Sequence, residues 1–215
     1  SYHDFRNTEI IHCKEMALEL TRRGYWVIRM GKVAEHRFDT GSEMVIDYAN
    51  RADKNDFLDI WIMANCRFCV SNGTGLDSIT DAFHIPIVDV DYLPLVHIVS
   101  YNRSLTVPKK LFWVDSGEML TMREHLLHSY FSTSEYTSAG IRVQDLDSVE
   151  ITHAVIEMEE RLSGRWNSEE SDQELQARFW KRLTETKDYT DLHGVIHPEA
   201  RCGAVFLREN SRFLL

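Results

Sequence analysis

The chain has 215 residues, 43% of them hydrophobic and 27% charged, with a formal charge of −10 at pH 7. That length and composition support a buried core in one domain, or in one domain with an appendage, and argue against disorder. The acidic balance argues against a nucleic-acid surface, which needs a basic footprint, but leaves room for a small anion held by backbone N–H groups in a local pocket.

Residues 8–23 predict a helix. Ile10, Cys13, Ala17 and Leu20 share a face, Asn7 or Thr8 can cap the start, and Gly24 closes the end. Residues 25–30, "YWVIRM", read as a buried strand, and "MVIDY" at 44–48 as a second one after a polar turn. Residues 56–65 predict a helix whose apolar face is Phe57, Ile60, Trp61 and Ala64. "RFCV" at 67–70 is a third strand, 75–83 a third helix and "IPIVDV" at 85–90 a fourth strand. Alternating strands and helices with near-continuously apolar strands define an α/β class: a Rossmann-like parallel sheet with helices on both faces. The chain enters its first helix as though the strand feeding it were missing, so the expectation is a fragment.

Beyond residue 110 the pattern turns helical, with predicted helices at 120–131, 148–164, 171–185 and 197–210 and polar connections at 164–171 and 186–194. The expected division is a Rossmann-like domain over 1–110 and a helical C-terminal extension over 111–215. Cys66 and Cys69 form a C-x-x-C inside an apparent strand, where positions three apart face opposite sides, so packing outweighs zinc or redox chemistry. Four scattered cysteines suit a reducing compartment. Asp and His interrupt the longest apolar stretch, 85–99, so no transmembrane helix is predicted. A cytoplasmic location is expected, with peripheral membrane contact left open.

Open parallel sheets bind ligands at the carboxyl ends of their strands. Arg29 and Gly31, Asp47 and Tyr48, the segment "SNGTGLDS" at 71–78, and Asp89 with Asp91 all fall there. In 71–78 the glycines permit a tight turn and the following helix start offers unpaired donors to an anion. Thr74 is placed to give a hydroxyl to phosphate and Arg29 to supply charge. The bland reading, that Thr74 or Asp77 only caps a helix, has equal standing. The segment fits neither a P-loop, which needs a Lys, nor G-x-G-x-x-G. Asp59 either serves the first turn of its helix, the commoner role, or accepts hydrogen bonds from a nucleobase or sugar. Asp89 and Asp91 sit at i and i+2, on one face of a strand end, and could hold Mg²⁺ or Mn²⁺. Strands ending in acids are common, so no metal is assigned. No metalloprotease histidine spacing and no G-x-S-x-G elbow occur.

Taken together, "YHDFRNTEI", "GYWVIRMGK", "IDYANR", "DFLDIWIMANCRFCVSNGTGLDSI", "STSEY" and "GAVFLREN" resemble a family of bacterial glycosyltransferases encoded with surface-polysaccharide genes. More distantly, the 56–83 segment is similar to the donor-binding part of α1,6-fucosyltransferases and protein O-fucosyltransferases. The resemblance implies a twin-Rossmann (GT-B) enzyme of which this chain is the donor-binding half. It puts Asp59 on a base-contacting Asp and Thr74 on a phosphate-binding Ser, with Gly73 and Gly75 beside it. Gly75 stands where the fucosyltransferases carry Gln, which leaves the donor's identity open. An H-x-R strand expected before the first helix is absent.

The expected donor site is therefore Asn72, Gly73, Thr74, Gly75 and Leu76 with Asp59 and Tyr48. Arg29, Arg6 and Asp4 are the candidate catalytic residues. The expected function is transfer of a sugar from a nucleotide-diphospho-sugar to a glycan or lipid-linked acceptor, with no required cofactor and no nucleic-acid partner. The alternatives are nucleotide or sugar binding without turnover, and an epimerase or hydrolase of the same architecture.

Overall fold

The computed structural model describes residues 4–73, 75–98, 100, 102–192 and 195–215. Its centre is strand β4 (Ile87–Tyr92), in which all six residues are buried. β4 lies between β3 (Cys69–Ser71) and β5 (Ser104–Pro108), and β8 (Arg201–Cys202) continues the sheet beyond β5. All three pairings are parallel, with Val70 opposite Val88, Val88 opposite Leu105 and Leu105 opposite Arg201. A separate parallel pair joins β1 (Val27–Ile28) to β2 (Val45–Ile46). An antiparallel pair joins β6 (Lys110–Trp113) to β7 (Ile141–Gln144).

Nine α-helices are formed among the described residues: α1 (Lys14–Arg22), α2 (Asp56–Asn65), α3 (Asp77–Ala82), α4 (Met122–Leu127), α5 (Thr133–Ser138), α6 (Ser148–Leu162), α7 (Glu170–Thr184), α8 (Lys187–Leu192) and α9 (Ala204–Glu209). Alternation along β4 divides them between two faces. Val88 and Val90 enter the main core with Met16, Ala17 and Leu20 of α1 and with Ile151, Val155 and Met158 of α6. Asp89 points the other way, where Asp77 and Asp81 of α3 are its charged neighbours. The fold is thus α/β, a Rossmann-like parallel sheet flanked by helices.

Helix α6 is fixed to α1 by charge as well as by packing. The buried Glu159 carboxylate accepts from Arg23 at 2.9 Å, from Tyr25 at 3.1 Å and from Arg165 at 2.6 and 2.7 Å. Burial pushes the Glu159 carboxyl up, but hydrogen bonds from Arg165, Arg23 and Tyr25 outweigh it and hold the group below its usual range.

Several expected elements differ in detail. The 8–23 helix opens as a 3-10 turn, Ile10–Cys13, before α1 begins. Neither Asn7 nor Thr8 caps it: Glu9 holds that position with no side-chain bond, and Thr8 Oγ1 donates instead to Asp91 Oδ2 at 2.8 Å. The predicted apolar face of α2 does not enter the core. Phe57, Ile60 and Trp61 are exposed, and Met63 is the helix's one buried residue. The 120–131 helix is confined to α4, begun by a capping box between Thr121 and Glu124.

The segment beyond residue 110 is helical but also contributes strands, and its helices α6, α7 and α9 share the main core with β4 and β5. The 197–210 helix divides: Arg201–Cys202 pairs as β8, and only α9 is helical. Close approach decides this, since a Cβ on Gly203 would stand 2.7 Å from Val107 Cγ2 of β5. The outer edge of β8 is closed by Gln176 of α7, which bonds the Cys202 N–H at 3.0 Å and its carbonyl at 2.6 Å. The 186–194 connection carries α8.

Candidate functional site

The candidate site lies where the chain leaves the carboxyl ends of β3 and β4. Gly73 has φ +80, and a Cβ there would stand 3.4 Å from the Tyr92 ring, so both backbone conformation and space call for glycine. The turn is braced from within: Ser71 Oγ donates to Asp77 Oδ2 at 2.7 Å and accepts from the Gly73 N–H at 3.2 Å. The Gly73 amide is therefore occupied by the protein's own hydroxyl rather than free for an anion. Gly75 is exposed, with open space where a side chain would begin. Leu76 leads into α3 as its N-cap residue. Thr74 lies outside the described residues.

An N-terminal segment crosses these strand ends. Asn72 Nδ2 donates to the Arg6 carbonyl at 2.9 Å, Thr8 binds Asp91, and the buried Lys109 ammonium donates to the Asn7 carbonyl and to Asp145 at 2.5 Å each. Asp4 belongs to the short 3-10 turn Asp4–Arg6. Arg6 is the distinctive residue. Its guanidinium has no ion pair among the described residues, and its Nε is buried without a hydrogen-bond partner. It lies over the Phe5 ring, 5.3 Å from the centroid. Nearby, the Tyr136 hydroxyl is also buried; burial pushes that phenol up, and the Tyr130 backbone and then Arg6 oppose the shift. Tyr136 belongs to "STSEY", a motif with no assigned role in the sequence, so only the fold brings it to Arg6.

Arg29 is already committed. It donates to the His36 carbonyl at 2.5 Å, pairs with Asp47 at 3.3 Å and lies over the Phe38 ring at 6.0 Å. Asp47 also accepts from the Phe38 N–H and from Asn50. Burial pushes this carboxyl up, but these bonds together with Arg29 hold it below its usual range. Arg29 thus fastens the β1–β2 connection, with its charge balanced. The Cys13 thiol is pushed up to about 11, first by burial and then by Asp91, with Arg29 opposing.

Tyr48 is buried, and its hydroxyl accepts the Asn55 N–H at 3.1 Å, setting the start of α2. Asn55 caps that helix through the Leu58 N–H. Asp59 therefore takes no part in the cap, and its carboxylate has no hydrogen bond or ion pair among the described residues. It remains one of the two acidic residues of the first turn of α2, the helix-serving role read from the sequence, and its side chain is half-buried.

Asp89 and Asp91 do not share a face. Asp91 has φ +53, and the pairing of β4 with β5 shifts register between Asp89 and Tyr92, so the alternation breaks there. Asp91 accepts from Thr8 and from the Leu146 N–H at 2.7 Å, whereas Asp89 faces α3. Asp89 is fully buried, and desolvation first, then Asp77 and Asp81, raise its carboxyl well above the usual range. Among the described residues, no three His, Cys, Asp or Glu side chains gather as a metal cage, and no helix is long and apolar enough to cross a membrane.

No protein family, curated protein or solved structure matches the chain.

Proposed function

We propose that the chain is the donor-binding part of a glycosyltransferase, holding a nucleotide-diphospho-sugar at the carboxyl ends of β3 and β4. The observation that carries this reading is Arg6: a guanidinium without an ion pair among the described residues, on a segment bonded to the glycine turn, at the sheet end where α/β folds bind ligands. A diphosphate would give Arg6 its missing counter-charge and charge-assisted hydrogen bonds. Arg29, neutralised by Asp47, is left with a structural role. The Asp59 carboxylate, without a hydrogen bond or ion pair among the described residues, supports a base- or sugar-accepting role. Stabilising negative charge as it develops on the leaving diphosphate is the chemistry such an arginine supplies. The acceptor would be a glycan or lipid-linked glycan, as the sequence resemblance implies.

Calorimetric titration with GDP, UDP and CDP, with and without EDTA, tests this directly. Saturable binding of one diphosphate is expected. Arg6→Ala should weaken it by about 1.5–3 kcal/mol, the worth of hydrogen bonds to a charged group. Asp59→Asn should lower the preference among the bases. Failure of every nucleotide to bind would remove the reading. Binding without sugar transfer or release from the matching nucleotide-sugar would reduce it to a binding role.

A further inference from the structure

β5 begins at Ser104 and β8 at Arg201, so these two residues mark the amino edge of the parallel sheet, away from the candidate site. A cavity of about 270 Å³ opens there, lined by Arg103, Ser104, Arg161, Trp166, Glu199 and Arg201 among others. That volume is close to the lower end for small-molecule sites, roughly 300 Å³.

Its chemistry is cationic and under-satisfied. Arg103 pairs with Glu199 at 2.6 Å, and Arg161 pairs with Glu157 at 2.8 Å. Among the described residues Arg201 has no carboxylate partner within ion-pair distance, and its guanidinium donates to the carbonyls of Pro198 and Ala200, at 2.7 Å each. Burial and then the neighbouring Arg161 lower its affinity for the proton. Ser104 is 1% exposed, and its hydroxyl has no partner among the described residues. The Trp166 indole N–H is likewise buried and unpartnered, with the Arg161 guanidinium 5.0 Å from its ring centroid. Buried polar groups are nearly always hydrogen-bonded, and an unmet one marks a strain reservoir or an unseen ligand or water. Here Ser104, Trp166 and Arg201 line one cavity, the first two each with an unmet polar atom and the third with no carboxylate partner among the described residues. Its lining carries three arginines against one glutamate, in a chain whose formal charge is −10.

We propose that this cavity is a second ligand site, separate from the nucleotide site, which binds a small phosphate or sulfate monoester. Arg201 is its principal cation, and Ser104 and Trp166 are neutral donors to the ester oxygens. An oxyanion satisfies all three at once, because it carries several acceptor oxygens and the charge that Arg201 lacks.

Titration of the full chain with phenyl phosphate and phenyl sulfate, with phenol as the uncharged control, tests the proposal. Tryptophan fluorescence and calorimetry would be read together. One or both esters should bind saturably while phenol does not, and the stronger ester tells phosphate from sulfate. Arg201→Gln should weaken binding at least tenfold and Ser104→Ala severalfold, with circular dichroism confirming that each variant is folded. Trp166→Phe should remove the ligand-dependent fluorescence change, which keeps the test decisive if Arg201→Gln does not fold. Three results would overturn the site: no saturable binding of either ester, equal binding of phenol, or binding that Arg6→Ala abolishes and Arg201→Gln leaves intact.

Discussion

Helices α6 and α2 both carry apolar residues at helical spacing, but they meet different surroundings. In α6, Ile151, Val155 and Met158 are buried against α1 and the central strands, and Glu159 adds a buried carboxylate held by two arginines and a tyrosine. In α2, Phe57, Ile60 and Trp61 are 71%, 48% and 55% exposed, and the helix's main helical neighbour is α3. Three to four apolar residues on one face buy stability only where another surface covers them. Helix α6 is a structural wall of the domain, whereas the α2 stripe contributes little to this chain's stability. The start of α2 is held instead by local polar contacts, from Tyr48 and from the Asn55 cap.

The sharpest way to break this contrast is to truncate one residue of each stripe and compare urea midpoints. Ile151→Ala should cost about 2–5 kcal/mol, the range for removing a fully buried aliphatic side chain. Next in size is Glu159→Gln, expected to cost about 1–3 kcal/mol because it weakens charge-assisted bonds in a buried setting. Arg23→Gln should show a smaller loss of the same kind, since that side chain is a quarter exposed.

The C-terminal packing around α4 extends the comparison to pH. His125 is buried beside Phe213, and desolvation first lowers its imidazole from 6.5 to about 3. Between those values the unfolded chain binds a proton that the fold refuses. Its contribution is complete above pH 6.5 and is lost as the pH falls toward 3, with a slope of up to about 1.4 kcal/mol per pH unit. Urea midpoints from pH 7 to pH 5 should fall in the wild type and fall less in His125→Leu. The smallest effect is expected in α2, where Phe57→Ser should change stability by no more than about 0.5 kcal/mol. A loss near that of Ile151→Ala would show that the α2 stripe is covered in solution and end the contrast.

Much of the sheet was legible in the residues. "RFCV" and "IPIVDV" are apolar runs flanked by turn signals, and they form β3 and β4; α2, α6 and α7 begin and end within a residue or two of the positions read from caps and spacing. β5 to β8 were less visible. "SLTVP" ends on proline, and Arg201–Cys202 is two residues inside a helix-like stretch, so both depend on partners far away in sequence. In the candidate site, the glycine turn and Asp59 could be singled out by residue type and position. That Arg29 is already paired could not, because it depends on which arginine meets Asp47.

The sequence by itself determined the alternation of strands and helices, the apolar centre of β4 and the glycine turn after β3, because these follow from local spacing and from backbone conformations that few residues adopt. Only the tertiary structure decided that Arg6 has no counter-ion among the described residues, that Asp89 and Asp91 part company, and that Ser104, Trp166 and Arg201 line one cavity. The reason is physical: whether a charge is paired, or a hydroxyl satisfied, depends on groups dozens of residues away that folding brings to within a few ångströms.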